Sequence, residues 1–330
     1  MRLLACADKF RGTLDAVEFA AAVAAGAPGH DVAAQPMADG GEGTLAAFGG
    51  ANRTTTVTGP LGTAIEAGWR LSRGRAVIEM AEASGLLLAG GADGNDPMEA
   101  TTAGTGELIA KAVEAGADEI IVGLGGSATT DGGLGALRAL PAPSRLKGVD
   151  LVVACDVETR FTEAARVFGP QKGASKAQIK LLTARLERLV EVYKAEHGVD
   201  VSELAGAGAA GGLAGGLVAA GARIDSGATL IAEAVELYEQ IEATDLVVTG
   251  EGRVDPTSFD GKVVGAVVDL ARAAERPLLV IGGVVDSDAR TRLDGEGVAW
   301  IDLSDGYGVD RAMAETAACV EDAVSGWLSR

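Results

Sequence analysis

Seven acidic residues lie beside glycine or at the ends of apolar runs in this 330-residue chain: Asp8, Asp39, Glu42, Asp131, Asp156, Glu251 and Asp255. Basic residues accompany them at Lys9, Arg11, Lys172, Arg253 and Lys262. Carboxylates can bind Mg²⁺ or take up a proton, and cations can neutralise a migrating phosphoryl group; a phosphoryl-transfer site needs both. Singly, each carboxylate has a plainer explanation. Aspartate before glycine is a common turn former, and Asp131 could cap a helix. Their joint placement is what points to a site, because the carboxyl ends of strands in an open α/β sheet line one crevice.

The glycines beside them sharpen the chemistry. The run IIVGLGGSATTDGG (120–133) carries Gly125 and Gly126, then the hydroxyls of Ser127, Thr129 and Thr130. Successive glycines let backbone N–H groups converge on a phosphate, and the hydroxyls add donors. GLGGSA also fits a loose dinucleotide fingerprint. That reading requires an acidic residue about 20 residues on, and the next acidic strand end, Asp156, is well beyond it. A second match, GAGAAG at 206–211, follows no strand. GLGGSA is similar to the GLGSSA loop of the GHMP small-metabolite kinases, but the preceding proline is missing. No G-x-x-x-x-G-K-[ST] occurs, which excludes a P-loop.

The elements that must hold these loops alternate between strand and helix. Leu3–Ala7 reads as a strand ending in Asp8, and an Asp15…Glu18 capping box opens a helix that closes on Gly26. DVAAQPM is a second strand, followed by a short helix, TLAAF. At the other end TDLVVTGEG (244–252) reads as an apolar strand running into a glycine loop that holds Gly250 and Glu251. GKVVGAVVDLARAAE is a helix, PLLVIGGVV and VAWIDLS are strands, and ETAACVEDAVSGWL is a closing helix. Near-continuous apolar strands imply a parallel sheet covered on both faces.

Residues 54–80 alternate instead, as in antiparallel hairpins. A long helix follows at SKAQIKLLTARLERLVEVYKAE, capped by Ser175…Gln178, with Ile179, Leu182, Leu186, Leu189 and Tyr193 on one face. The expected architecture is α/β. A Rossmann-like parallel-sheet domain forms from both chain ends (1–57 plus 245–330). A second, mixed α/β domain (58–244) is inserted, and a ligand is expected in a cleft between them.

Composition excludes several classes. The net charge is −19, which gives nucleic-acid binding little electrostatic support. Three scattered cysteines and two isolated histidines suit neither a disulfide framework nor a zinc site. No apolar run approaches the ~18 residues a membrane span needs, and the apolar stretch of MRLLACADKFRG is shorter than a signal peptide is expected to have. A reducing cytoplasm is the expected setting.

Seven ordered motifs carry a resemblance: DKFRGTLDA (8–16), PMADGGEGT (36–44), VGLGGSATTDGG (122–133), ACDV (154–157), VFGPQKGAS (167–175), GAGAAGGLAGGL (206–217) and TGEGRVDPTSFDGK (249–262). Together they closely resemble the bacterial glycerate kinase family across almost the whole chain. The resemblance implies a two-domain α/β enzyme that transfers the γ-phosphoryl group of ATP, with Mg²⁺, to D-glycerate. The expected product is 2-phosphoglycerate; a related small hydroxy acid is the alternative acceptor, and an NAD-dependent dehydrogenase using GLGGSA a distant one. Monomer and homodimer both remain open.

Residue by residue, the resemblance implies Asp39, Asp156 and Lys172 as catalytic. It implies Asp8, Arg11, Gln171 and Arg253 as substrate-binding. Gly125, Gly126, Ser127, Thr129, Thr130, Gly250 and Lys262 would hold nucleotide or phosphate, and Asp131 and Glu251 would face the metal. Asp131→Asn is therefore expected to lower turnover more than stability. The chain departs from the family pattern at DKFRG, where DSFKG is usual, and in the shortened segments RALPAPSRLKGV and ETRFTEAARV.

Overall fold

The computed structural model describes residues 1–10 and 12–329. Arg11, expected to bind substrate, lies outside the described residues. Among these the strands are β1 (Arg2–Ala5), β2 (Asp31–Ala34), β3 (Arg53–Thr58), β4 (Ala64–Ser72), β5 (Arg75–Glu79), β6 (Glu119–Gly123), β7 (Asp150–Ala154), β8 (Arg223–Asp225), β9 (Leu246–Val254), β10 (Leu278–Val285) and β11 (Ala299–Asp302). The chain forms two compact units, Met1–Asp39 with Ser226–Arg330, and Gly40–Asp225.

The first unit is built on a five-stranded sheet in the order β11-β10-β9-β1-β2, parallel throughout. Side chains alternate across a strand. Leu3, Ala5, Leu246, Val248, Leu279 and Ile281 therefore face one core, closed by Phe19, Val23, Val320 and Val324 of the helices Ala16–Gly26 and Thr316–Leu328. Each fully buried Leu, Ile, Val or Phe contributes about 1.5–3 kcal/mol. The alternate residues Leu4, Cys6, Val247, Thr249 and Val280 are also buried, on the opposite face. The helix Val263–Ala273, with Val263, Val264 and Val267 buried, packs against β9 and β10. The capping box at Asp15 and Glu18 is present as the sequence requires.

The second unit holds a six-stranded sheet, β3-β4-β5-β6-β7-β8. β3, β4 and β5 pair antiparallel, as the 54–80 alternation requires, and β5 to β8 pair parallel. Ile78, Ile120, Val122, Leu108 and Leu213 form its core. Helix Lys176–His197 carries the Ser175–Gln178 capping box and buries Leu182, Leu186, Leu189 and Tyr193.

The unit limits fall at 39/40 and 225/226, against an expected 57/58 and 244/245. β3 is hydrogen-bonded to β4, which keeps 53–58 in the second unit. Helices Gly227–Ala234 and Leu237–Glu242 pack with Val263–Ala273, which keeps them in the first.

Candidate active-site clusters

In the 40–225 unit the site begins where β6 ends at Gly123. The loop that follows is pressed against residues 40–44: Leu124 N–H donates to Gly40 O at 2.7 Å. A Cβ on Gly125 would lie 2.4 Å from the backbone nitrogen of Glu42 and 2.6 Å from Gly41 Cα, so only glycine fits. Glu79, at the end of β5, holds the 40–44 segment from beneath. Its carboxylate accepts from Gly43 N–H (3.2 Å) and Leu45 N–H (3.1 Å). Burial raises the Glu79 pKa, and these two bonds oppose the rise. Glu79 and Asn95 are parts of this arrangement that sequence reasoning missed, since neither sits in a glycine loop.

The hydroxyl part of the loop converges on one buried amine. Lys172 is 2% exposed, and its Nζ donates to Thr129 O at 2.6 Å and Ser127 Oγ at 3.3 Å. The Ser127 and Thr129 hydroxyls are 3.1 Å apart. Burial lowers the Lys172 pKa to about 7, against a smaller upward pull from Asp131. Asn95 Nδ2 ties the two segments together by donating to Ala128 O and Lys172 O, at 3.0 and 2.9 Å. Thr130 is fully buried, and its Oγ1 has no hydrogen-bond partner among the described residues. The structure thus brings Ser127, Thr129 and Lys172 together, with Gly125 and Gly126 just before them in the chain against Gly41 and Glu42, and Thr130 just after.

Asp131 is held differently from the metal-side expectation. Its Oδ2 accepts from Thr102 N–H (2.9 Å), Thr102 Oγ1 (2.8 Å) and Gly135 N–H (3.1 Å), and its Oδ1 accepts from Gly133 N–H (3.0 Å). Four donors on a buried carboxylate fasten the start of helix Leu134–Ala139 to Thr102. Little coordination capacity is left for a cation. Asp156 is half-buried just past β7, and Gln171 is exposed one residue before Lys172.

In the other unit, the pairing Ala5↔Val248 and the bond from Cys6 N–H to Val248 O (2.9 Å) carry Asp8 and Glu251 to the same end of neighbouring strands. Asp39 is close enough to act on both. Burial, then Asp39, pushes the Asp8 pKa up to about 7, although Lys9 N–H donates to its Oδ1 at 2.7 Å. Burial also raises the Glu251 pKa, opposed first by a hydrogen bond from Ser258 and then by the Lys262 charge. Among the described residues Glu251 Oε1 has no hydrogen-bond partner, and neither does Oγ1 of the buried Thr249 two residues earlier. Thr249 was not foreseen, being read as ordinary strand.

Gly250 and Arg253 are engaged within the protein, and Asp255 takes the plainer of its two readings. Gly250 does not lie in a loop, because β9 continues to Val254 and pairs Gly250 with Ile281. A Cβ there would meet Ile281 O at 2.1 Å, so this glycine serves strand approach. The Arg253 guanidinium is exposed and engages both oxygens of Asp286, at 2.8 and 3.0 Å. Asp255 caps the short helix Pro256–Phe259, the plainer of its two explanations. Lys262 stays beside the carboxylates, its Nζ donating to Thr257 Oγ1 at 3.0 Å.

Mg²⁺ takes hard oxygen ligands and asks a protein for only one or two carboxylates beside phosphate and water. The Glu251 oxygen without a partner among the described residues, near Asp8 and Asp39, fits that demand. No group of three or more His, Cys, Asp or Glu forms a metal cage among the described residues. No helix among them is long and apolar enough to cross a membrane.

An α/β chain with glycine-moulded loops, a buried lysine among hydroxyls and a carboxylate cluster has the parts of a phosphotransferase. The glycerate kinase family model matches residues 3–144 and 141–326, and the chain belongs to that family. It is 40% identical to the glycerate 2-kinase of Escherichia coli K12, covering 87% of this chain and 86% of that protein. It is 37% identical to the glycerate kinase of Bacillus subtilis 168, over 88% and 86%. A crystal structure from Salmonella typhimurium LT2, assigned as a glycerate kinase 2, superposes with a TM-score of 0.78 at 32% identity, over 100% of this chain and 97% of that one.

Proposed function

We propose that the protein transfers the γ-phosphoryl group of ATP to a hydroxyl of D-glycerate, giving ADP and 2-phosphoglycerate. The observation that carries the reading is the buried cluster of Lys172, Ser127 and Thr129 behind the Gly125–Gly126 turn, in a chain of the glycerate kinase family. Phosphoryl transfer needs positioned donors and positive charge on the migrating group, and little covalent participation by the protein. The turn's N–H groups and the hydroxyls of Ser127, Thr129 and Thr130 are suited to phosphate oxygens.

In the balanced step the glycerate oxygen bonds to the γ-phosphorus, the bond to the β-bridging oxygen breaks, and the hydroxyl proton passes to a carboxylate. We take Asp8, which the resemblance gave as substrate-binding, as that carboxylate in place of Asp39 or Asp156. Its raised pKa matches a general base working near neutrality. Glu251 would hold Mg²⁺, which neutralises charge on the phosphate oxygens. Lys262 is suited to nucleotide phosphate, and the glycerate carboxylate would pair with Arg11. We place such an ATP-consuming enzyme, whose cysteines form no disulfide among the described residues, in the cytoplasm.

A coupled ADP-release assay over a panel of small hydroxy acids tests the reading. Turnover only with another acid would transfer it to a related kinase, and no acid-dependent ADP at all would overturn it. Phosphorus NMR of the product separates the 2- from the 3-phosphate.

A further inference from the structure

The GAGAAG segment has no part in the chemistry above, yet it holds the one run of three consecutive left-handed residues among the described residues. Within helix Ala209–Ala219, Ala210, Gly211 and Gly212 are all left-handed, with φ of 52°, 69° and 93°. Only glycine visits that region freely, so the buried L-residue Ala210 is strained there. A run of three is a deliberate inversion of the chain.

The inversion is moulded onto residues 129–132. A Cβ on Gly211 would lie 2.0 Å from Thr129 O and 2.7 Å from Thr130 Cα, and one on Gly212 would lie 2.8 Å from Gly132 Cα. Gly132 N–H donates to Gly211 O at 3.1 Å. The carbonyl oxygen of Ala210 sits 3.4 Å from the hydroxyl oxygens of both Ser127 and Thr129. The carbonyl pressed by Gly211 is the one that accepts from Lys172 Nζ at 2.6 Å.

We propose that the left-handed turn Ala210–Gly212 is a positioning element for phosphoryl transfer, holding the Thr129 carbonyl against the Lys172 amine and aligning the Ser127 and Thr129 hydroxyls. This rests on the functional reading above. The turn touches no substrate and acts through Lys172 and the two hydroxyls. Interactions made mainly with the migrating group appear in kcat more than in KM.

The test is steady-state kinetics on Gly211→Ala, normalised to folded protein, beside Leu108→Ala. Leu108 is fully buried in the same unit, so its truncation lowers stability by a cavity alone. Gly211→Ala should lower kcat at least tenfold with KM for ATP and glycerate held within about twofold, whereas Leu108→Ala should lower Tm and leave kcat per folded molecule unchanged. In a Lys172→Met background the Gly211→Ala loss should largely vanish, because the two act as one unit. Equal and additive kcat losses with and without Lys172, or a normal kcat in folded Gly211→Ala, would overturn the proposal. If Gly211→Ala does not fold, Ala210→Val makes the left-handed region costlier without adding an atom at Gly211, and the same coupling to Lys172 is expected. Wild-type protein without glycerate-dependent ADP release defeats the functional reading instead, a separate outcome.

Discussion

The Nζ of Lys172 lies 2.6 Å from the carbonyl oxygen of Thr129, inside a site where Lys172 is 2% exposed and Thr129 fully buried. An ammonium so enclosed has Asp131 as its main charge partner, and that carboxylate is already occupied by four backbone and hydroxyl donors. Lys172→Met should therefore lower kcat by about 10²–10³, the range for loss of one preorganised electrostatic group. Stopped-flow measurement of ADP formation reads the effect; a loss under threefold would reduce Lys172 to a strut.

Two groups with pKa values near 7 and opposite requirements give a narrow pH optimum. As base, Asp8 must be ionised, so activity rises with pH through about 7; as cation, Lys172 must be protonated, so activity falls with pH through about 7. The kcat/KM profile should be a bell with its apex near neutrality. Asp8→Asn should remove the acid limb and lower kcat by about 10²–10⁴.

The same shifts act on stability with opposite signs. Asp8 binds its proton more tightly when folded, so its contribution is complete below its ordinary value of 3.8 and is lost as pH rises through about 7. Lys172 binds its proton less tightly when folded, so stability is regained between about 7 and its ordinary 10.5. At pH 8 Asp8→Asn should raise Tm, by roughly 2–4 °C for each kcal/mol released. Differential scanning calorimetry of the variant at pH 4 and pH 8 checks the sign: the gain should appear at pH 8 and shrink at pH 4.

Asp131→Asn should be mainly a stability variant, contrary to the sequence-based expectation. An amide nitrogen in place of one oxygen turns donors toward donors, and a buried unsatisfied group costs about 1–3 kcal/mol. A Tm drop of several degrees is expected in urea or thermal melts. An unchanged Tm with lost turnover would restore the metal-side role.

Gly125→Ala should destabilise the 40–225 unit by about 1–3 kcal/mol, since the new methyl meets backbone atoms of Gly41 and Glu42 and no flexible side-chain end. A chemical melt resolves that amount. Wild-type stability would mean the two loops part easily.

Much of this was legible in residue order. The Asp15–Glu18 and Ser175–Gln178 caps, the apolar parallel strands and the alternating 54–80 region each have a local physical signature, and each is present. The grouping of Ser127, Thr129 and Thr130 was legible because glycines announce close backbone approach. What was not legible depends on long-range contact. Gly250 looks like a loop residue until β10 is laid beside it, and nothing in the order of residues says that Asp131 will be taken by Thr102 or Arg253 by Asp286. Glu79 is hidden for the same reason: its partners Gly43 and Leu45 lie far earlier in the chain.

The buried thiols offer a clock. Cys6 sits in the β1 region of one unit and Cys155 just past β7 of the other, both shielded from solvent, and burial pushes the Cys6 pKa up, away from the reactive thiolate. Neither thiol can be alkylated until its own surroundings open. With a fast reagent in excess, the labelling rates of Cys6 and Cys155, separated by peptide mass mapping, would time the breathing of each half of the molecule in a single tube, without any engineered probe.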